Sequence, residues 1–246
     1  MDYPFPSINR SVYPKTFLKD VFLVVDFCEV SFDSVDIDRL NSFFSQFKVV
    51  EIDAAKISGG IELKSNDGTI RLRFSLKRIE IILRQPFYKS FEQAEEFINV
   101  MIKYMESLSV KEIQKISVSK FNELGFRLQS PDYPIIDIMK DVFSVDLLDK
   151  VGIEDGSFND MVRWEKVVSM DGSAESGTVF YAECGFRRRD LNSQDGSLTL
   201  TTRVESAVGN IVVDALLDIA RKYNQILDNA FHWCIEKNII EKMKES

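Results

Sequence analysis

The chain has 246 residues, of which 45% are hydrophobic and 28% are charged, and this composition excludes a disordered, collagen-like or low-complexity protein. Its net charge of -8 argues against a protein that coats nucleic acid or an anionic membrane. The acidic excess lies in the second half, because residues 1–128 carry 18 basic and 18 acidic side chains while residues 129–246 carry 13 and 21.

The first half of the chain predicts a strand, a short helix and then a meander of strands. The apolar run 17–32 is typical of a strand buried on both faces. Apolar residues at helical spacing over 37–47 predict the short helix. The strand-like segments that follow are 48–53, 57–64, 70–76 and 78–84.

Turn and capping signals divide these elements. Ser65–Gly68 predicts a tight turn, because Asn, Asp and Gly tolerate positive φ. From Ile70 to Lys77 apolar and polar residues alternate, which predicts a strand with one buried face. Ser90 and Gln93 form a capping box that begins a helix, and 113–128 predicts a further strand.

The second half repeats this order of elements without a visible sequence repeat. Ser130–Pro134 contains two prolines and is the best candidate for a domain boundary. A short helical stretch over 135–150 precedes a second meander, and an amphipathic helix runs from Gly209 to about Lys244. The predicted strands of the second meander are 162–170, 178–188 and 197–205.

These elements predict an α+β fold with two units. Each unit is an antiparallel sheet meander covered by an amphipathic helix, and the last helix is long. We assign residues 1–128 to the N-terminal unit and residues 129–246 to the C-terminal unit.

Cysteine spacing and the N-terminus indicate the compartment. Cys28, Cys184 and Cys234 are far apart and lie on apolar faces, so we expect buried thiols in a reducing environment. The segment that begins Met1-Asp2 has neither a basic nor an apolar leader region, and no apolar run approaches the ~18 residues of a membrane span. We expect a cytoplasmic protein without membrane contact.

Five segments form a pattern in chain order: Phe17–Val21, Val24–Phe27, Tyr88–Phe91, Ile116–Asn122 and Leu227–Phe231. Together they resemble a sporadically distributed family of uncharacterised bacterial proteins of about this length. The match is partial near the last helix, since Leu200–Glu205 stands where many relatives have an acidic strand pair. The resemblance implies two α+β units and an accessory role in a mobile-element or antiviral defence locus.

The chain carries no catalytic or cofactor motif, so we expect no cofactor and no bound metal. The alternative is a Mg²⁺-dependent nuclease that uses Asp53, Glu62 and Lys64. An acid followed by an acid-x-Lys on the next strand holds Mg²⁺ and orients water in many such enzymes. The competing interpretation is an outward-facing cross-strand charge pair.

His232 is the only histidine. Asp228 and Glu236 lie four residues to either side, which places them on the same face of the predicted helix. Such a grouping suits acid–base chemistry, but no nucleophile accompanies it, and a solvated helix face with weak ion pairs is the simpler interpretation.

Two surfaces are candidates for binding. One is the basic face, which we define as Arg71, Arg73, Lys77 and Arg78, and which could meet phosphates or an acidic protein. The other is the end of the last helix, where Phe231 and Trp233 cannot both follow the buried stripe. An exposed aromatic residue there would mark a partner or oligomer contact.

The sequence therefore predicts a non-enzymatic protein that binds a protein partner or associates with itself. Nucleic acid is a disfavoured partner because aromatic residues do not interleave with the basic face. A third hypothesis is a chaperone-like protein, since an antiparallel sheet covered by helices can hold extended clients at a sheet edge.

Overall fold

The computed structural model describes residues 3, 5, 16–30, 36–52, 60–130, 133–153, 158–172 and 177–245. The strands are β1 (Leu18–Phe27), β2 (Val49–Ile52), β3 (Gly60–Ser65), β4 (Ile70–Ser75), β5 (Arg78–Arg84), β6 (Glu112–Arg127), β7 (Arg163–Asp171), β8 (Thr178–Arg188), β9 (Asp195–Ser206) and β10 (Ile211–Val212). The helices are α1 (Ile37–Phe44), α2 (Phe91–Ser107), α3 (Ile135–Val142), α4 (Val145–Val151), α5 (Leu216–Cys234) and α6 (Lys237–Lys244).

This order confirms the predicted α+β class. The same series of elements occurs twice along the chain: a strand, β1 or β6, leads through short helices into a meander of strands. The last strand of each meander lies beside the first strand of its series, β5 beside β1 and β9 beside β6. A longer helix, α2 or α5, follows each meander. Among the helices described, none is long and apolar enough to cross a membrane.

The chain forms two compact units that do not follow the two halves of the sequence. Unit 1 contains Met1–Lys19, Lys120–Val204 and Gln225–Ser246, and unit 2 contains Asp20–Ser119 and Glu205–Asn224. The chain passes between the units within β1, β6, β9 and α5. The boundary predicted at Ser130–Pro134 stays a prediction, because residues 131 and 132 of that segment lie outside the described residues.

Unit 2 is built on the strand order β2-β3-β4-β5-β1-β6, with β10 paired to β6. One face of this sheet carries the helices. Phe74 of β4 lies 5.1 Å from Phe44 of α1 and 5.5 Å from Tyr104 of α2, measured between ring centroids. All three side chains are buried. The period-two pattern of β4 thus directs its apolar residues into an aromatic core.

Unit 1 has the strand order β6-β9-β8-β7. Phe180, Ala182, Cys184 and Phe186 alternate along β8 and are buried. Phe158, in a 3₁₀ turn before β7, packs edge-on against Phe186 at 5.9 Å. These contacts identify the covered face of this part of the sheet.

Local sequence signals explain two element boundaries. Gly68 has φ of 72° and its N–H donates to the carbonyl of Ser65, which confirms the predicted turn. Gln93 accepts hydrogen bonds from the N–H groups of Lys89 and Ser90, and the capping box at Ser90 begins α2 as predicted. Satisfying these otherwise free helix-end donors is typically worth about 1 kcal/mol.

Two details of the prediction are wrong. β1 alternates between buried and half-buried residues instead of burying both faces. Cys28 is exposed, whereas Cys184 and Cys234 are buried as expected. Burial raises the pKa of the Cys184 thiol to about 12 and raises that of Cys234 as well, so both behave as apolar core residues.

The predicted helix from Gly209 to Lys244 is also shorter than expected, because α5 begins at Leu216, after the strand β10, and ends at Cys234. Ile235 forms an isolated antiparallel bridge with Phe143. The N–H of Glu236 donates to the carbonyl of Val142 at 2.9 Å, and Glu236 is the N-cap residue of α6. Pairing with the segment after α3 replaces the next helical turn, so the helix breaks.

Candidate functional site

Arg71 and Arg73 of the basic face alternate with buried residues as predicted, but both lie close to acidic side chains. Arg71 and Arg73 lie between the buried residues of β4, on the face away from the helices. The Nε group of Arg73 donates to Glu62 at 3.1 Å, and its Nη1 group donates to Glu80 at 3.0 Å. Glu62 also lies 3.8 Å from the Nε atom of Arg71.

The strand register produces this arrangement. Arg73 lies opposite Glu62 on β3 and opposite Glu80 on β5. Burial lowers the pKa of Arg73, but the hydrogen bonds and charges of Glu80 and Glu62 outweigh burial and raise it overall. The guanidinium group is therefore held as a cation inside a row of alternating charge.

Two further arginines of this sheet are also paired with acids. Arg78 contacts Asp26 at 2.5 Å, and Arg84 contacts Asp20 at 2.9 Å. Lys77 lies in the two-residue turn between β4 and β5, not on the strand face, so the predicted alternation stops at Ser75. The acids neutralise most of the positive charge, which weakens the case for this surface as a phosphate or acidic-protein site.

The residues of the nuclease hypothesis do not form a metal centre within the described residues. Asp53 lies outside them. Glu62 is only 7% exposed and its carboxylate faces two arginines, while Lys64 lies two residues further along the same strand. Across the described chain no group of three or more His, Cys, Asp or Glu residues is placed to hold a metal ion. Arginine pairing disfavours Glu62 as a ligand.

Of the two aromatic residues near the end of α5, Trp233 packs in the core of unit 1. Trp233 is 9% exposed and lies 5.3 Å from the ring of Phe5, which in turn lies 4.8 Å from Phe180. The hydroxyl of Ser144 donates to the carbonyl of Trp233 at 2.5 Å. Phe231 is half-buried. Trp233 is therefore a core residue and not available to a partner.

Phe231 and Ile235 line a shallow apolar depression beside Leu198 and Leu200 of β9. It encloses space for about one water molecule. Small-molecule sites usually enclose ~300–1,000 Å³ and hold several convergent polar groups. This depression is too small to be the binding site for a ligand of ordinary size.

His232 has a different environment from the predicted one. Glu236 lies beyond the end of α5, whereas Asp228 lies one turn before His232 and contacts the Nζ atom of Lys120 at 2.5 Å. Burial lowers the pKa of His232, and the charge of Lys244 lowers it further. Because Lys120 is 8% exposed, its contact with Asp228 is a structural ion pair between β6 and α5.

The feature that sequence reasoning missed is the free edge of β7. The strand lies at the end of the sheet order and pairs with β8 over nine consecutive residues without a bulge. The carbonyl of Val162 accepts from Arg188 and the N–H of Gly172 donates to Thr178, each at 2.8 Å. In an antiparallel ladder hydrogen-bonded residues alternate, so the even-numbered residues of β7 bond to β8.

The odd-numbered residues consequently direct their N–H and C=O groups away from β8. All five are exposed, and Val167 in the centre is 53% exposed. No described strand pairs with this side of β7. The residues with outward backbone groups are Arg163, Glu165, Val167, Ser169 and Asp171. We call them the free edge of β7.

The comparisons with known proteins add little. No protein-family profile and no curated protein matches the chain. Among solved structures, TBP of Methanococcus jannaschii is 11% identical, with coverage of 88% of this chain and 98% of that chain and a TM-score of 0.27. A likeness this distant bears on neither fold nor function.

Proposed function

We propose that the protein is a non-catalytic protein-binding protein that takes an extended segment of its partner onto the free edge of β7. The observation that carries this proposal is a nine-residue edge strand whose five outward backbone positions are all exposed. Unpaired strand edges are templates for another strand, because each outward N–H and C=O group gains a partner.

The edge lacks most devices that block such pairing. Natural edges are usually short, contain proline or are twisted away by a bulge. β7 is longer than the ~5–6 residues of a typical strand, has no proline and pairs evenly along its length. Lys166 is its one lysine, and this residue belongs to the set that bonds to β8.

A chaperone-like protein is the second candidate, and the same observation favours it. Main-chain hydrogen bonds supply affinity with little dependence on sequence, which suits a protein that holds many extended clients. An accessory protein with one partner would instead show a narrow sequence preference. In either case we place the protein in the cytoplasm, and the family resemblance supports a bacterial mobile-element or defence locus.

Peptides selected from a random display library against the wild-type protein test the proposal. Fluorescence polarisation then measures their affinity for wild type, Val167→Pro and the control Val167→Thr, with the protein at nanomolar concentration. Proline removes an outward N–H and is tolerated on edge strands, whereas threonine keeps the N–H and the strand propensity.

We expect Val167→Pro to weaken peptide binding at least tenfold and Val167→Thr to retain it. Selection of peptides with one shared pattern supports an accessory protein, and selection of many unrelated peptides supports a chaperone. Peptides that bind Val167→Pro as tightly as wild type would refute the proposal, and so would the absence of any selected peptide for a wild type that does not bind a second copy of itself.

A further inference from the structure

We infer that the partner at the free edge of β7 is a second copy of the same chain, paired antiparallel to β7 across a two-fold axis at Val167. This inference rests on the proposed function and identifies its partner. In such a pair every residue i faces residue 334 − i of the other copy, and the full strand Arg163–Asp171 overlaps with itself.

This register places complementary side chains opposite each other on the uncovered face of the sheet. Val167 meets Val167 of the second copy, so the exposed apolar side chain at the centre becomes covered. At each end, Arg163 of one copy meets Asp171 of the other. Opposite charges and paired β-branched residues are favourable cross-strand neighbours in antiparallel sheets.

The other face of β7 is also compatible with this register. Trp164 lies opposite Met170, and a sulfur atom beside an aromatic ring is a favourable contact. Lys166 lies opposite Val168, so no two like charges face each other. Arg163 already contacts Glu165 of its own strand, with its Nη2 atom 2.5 Å from the carboxylate, and can reach Asp171 of the second copy from the same side.

The neighbouring registers are less favourable, which gives the pairing its specificity. A two-fold axis at Lys166 places that lysine against itself. An axis at Val168 places Glu165 against Asp171. Like charges directly opposite each other destabilise a strand pair, and both shifts also shorten the overlap.

The dimer should be reversible. One pair of nine-residue strands covers less surface than the ~1,200–2,000 Å² of a stable interface, so we expect a dissociation constant in the micromolar range, ~1–100 µM. Backbone pairing provides the contact, and the charges at each end select the register.

A charge-swap experiment tests the inference. Sedimentation equilibrium across the micromolar range measures the dimer constant of wild type, Arg163→Asp, Asp171→Arg and the double variant. Each single variant creates two like-charge contacts per dimer, and we expect roughly tenfold weaker dimerisation from each. The double variant restores both opposite-charge contacts and should dimerise nearly as well as wild type.

Two further variants test whether dimerisation depends on the β7 backbone and whether a change of net charge alone affects it. Val167→Pro should abolish dimerisation without unfolding unit 1. Glu106→Arg, an exposed position in α2 with the same change of net charge as Asp171→Arg, should leave it unchanged. Arg163→Asp also removes the contact with Glu165, so Asp171→Arg is the cleaner single variant.

A monomeric wild type at every concentration would overturn the inference, and so would a double variant that dimerises no better than the single variants. If the wild type is monomeric while selected peptides still depend on Val167, the edge binds another protein and the proposed function stands. If the protein neither dimerises nor binds a peptide at this edge, both the inferred dimer and the proposed function are wrong.

Discussion

β4 in unit 2 and β7 in unit 1 contrast in how their polar groups are satisfied. β4 is an inner strand whose backbone bonds on both sides and whose arginines contact Glu62 and Glu80. β7 is an edge strand whose outward backbone groups have no strand beside them in the described chain. A cluster of like charges is therefore weak evidence for a binding site when the strand register places opposite charges beside it. An exposed and regular edge strand, in contrast, can still form backbone hydrogen bonds with a strand of a partner.

The largest expected effect tests whether Trp233 is a core residue or a contact for a partner. Trp233→Ala should lower the free energy of unfolding by about 3–5 kcal/mol, because it removes a large core side chain packed on Phe5. Phe231→Ala is the control, and its half-buried ring should cost clearly less. Urea denaturation measures both. If Trp233→Ala leaves the stability unchanged, Trp233 is not a core residue and the end of α5 is again a candidate surface for a partner.

Proline scanning of β7 tests the orientation of its backbone. Val168→Pro should lower the free energy of unfolding by about 3 kcal/mol, because the N–H of Val168 bonds to β8. Val167→Pro should cost less than about 1 kcal/mol, because its N–H faces away. Thermal unfolding of the two variants provides the comparison. Equal losses would mean that the assignment of the free edge is wrong.

Glu62→Gln tests the paired face of unit 2. Removing a carboxylate that faces Arg71 and Arg73 should cost about 1–2 kcal/mol of stability. Lys64→Gln is the control, since it alters a half-exposed neighbour on the same strand. We expect no Mg²⁺-dependent nuclease activity in the wild type. If the wild type cleaves nucleic acid and Glu62→Gln, still folded, does not, the nuclease hypothesis replaces the proposal.

The smallest effect concerns the turn between β3 and β4. Hydrogen bonds from the Ser65 hydroxyl and from the N–H and hydroxyl of Thr69 lower the pKa of Asp67 to about 2. Because the pKa of Asp67 is lower in the folded state than in the unfolded state, its ionised carboxylate stabilises the fold above about pH 4. This stabilisation is lost as the pH falls through about 2. Asp67→Asn should flatten that part of the pH–stability curve. An unaltered curve would contradict this assignment.

Local signals were sufficient for most elements. The capping box at Ser90, the turn at Gly68 and the alternation along β4 depend on neighbouring residues alone, and the structure follows them. The pairing of Arg73 with Glu80 also follows from the two-residue turn between β4 and β5. The prediction missed it because it counted basic residues without setting the register of the hairpin.

Other features depend on contacts far apart in sequence. The break after Cys234 requires the bridge between Ile235 and Phe143, which no local pattern encodes. Burial of Trp233 requires Phe5, more than 200 residues away in the chain. The edge position of β7 is decided by the pairing of β9 with β6, so a strand with an ordinary sequence became the candidate site.

Amide hydrogen exchange along β7 tests most directly the claim that this edge binds protein. We expect the N–H groups of Glu165, Val167 and Ser169 to exchange fast in dilute protein and to become protected as the protein concentration rises or a selected peptide is added. Those of Lys166 and Val168 should stay protected throughout. Fast exchange at Glu165, Val167 and Ser169 at every protein and peptide concentration would contradict the account.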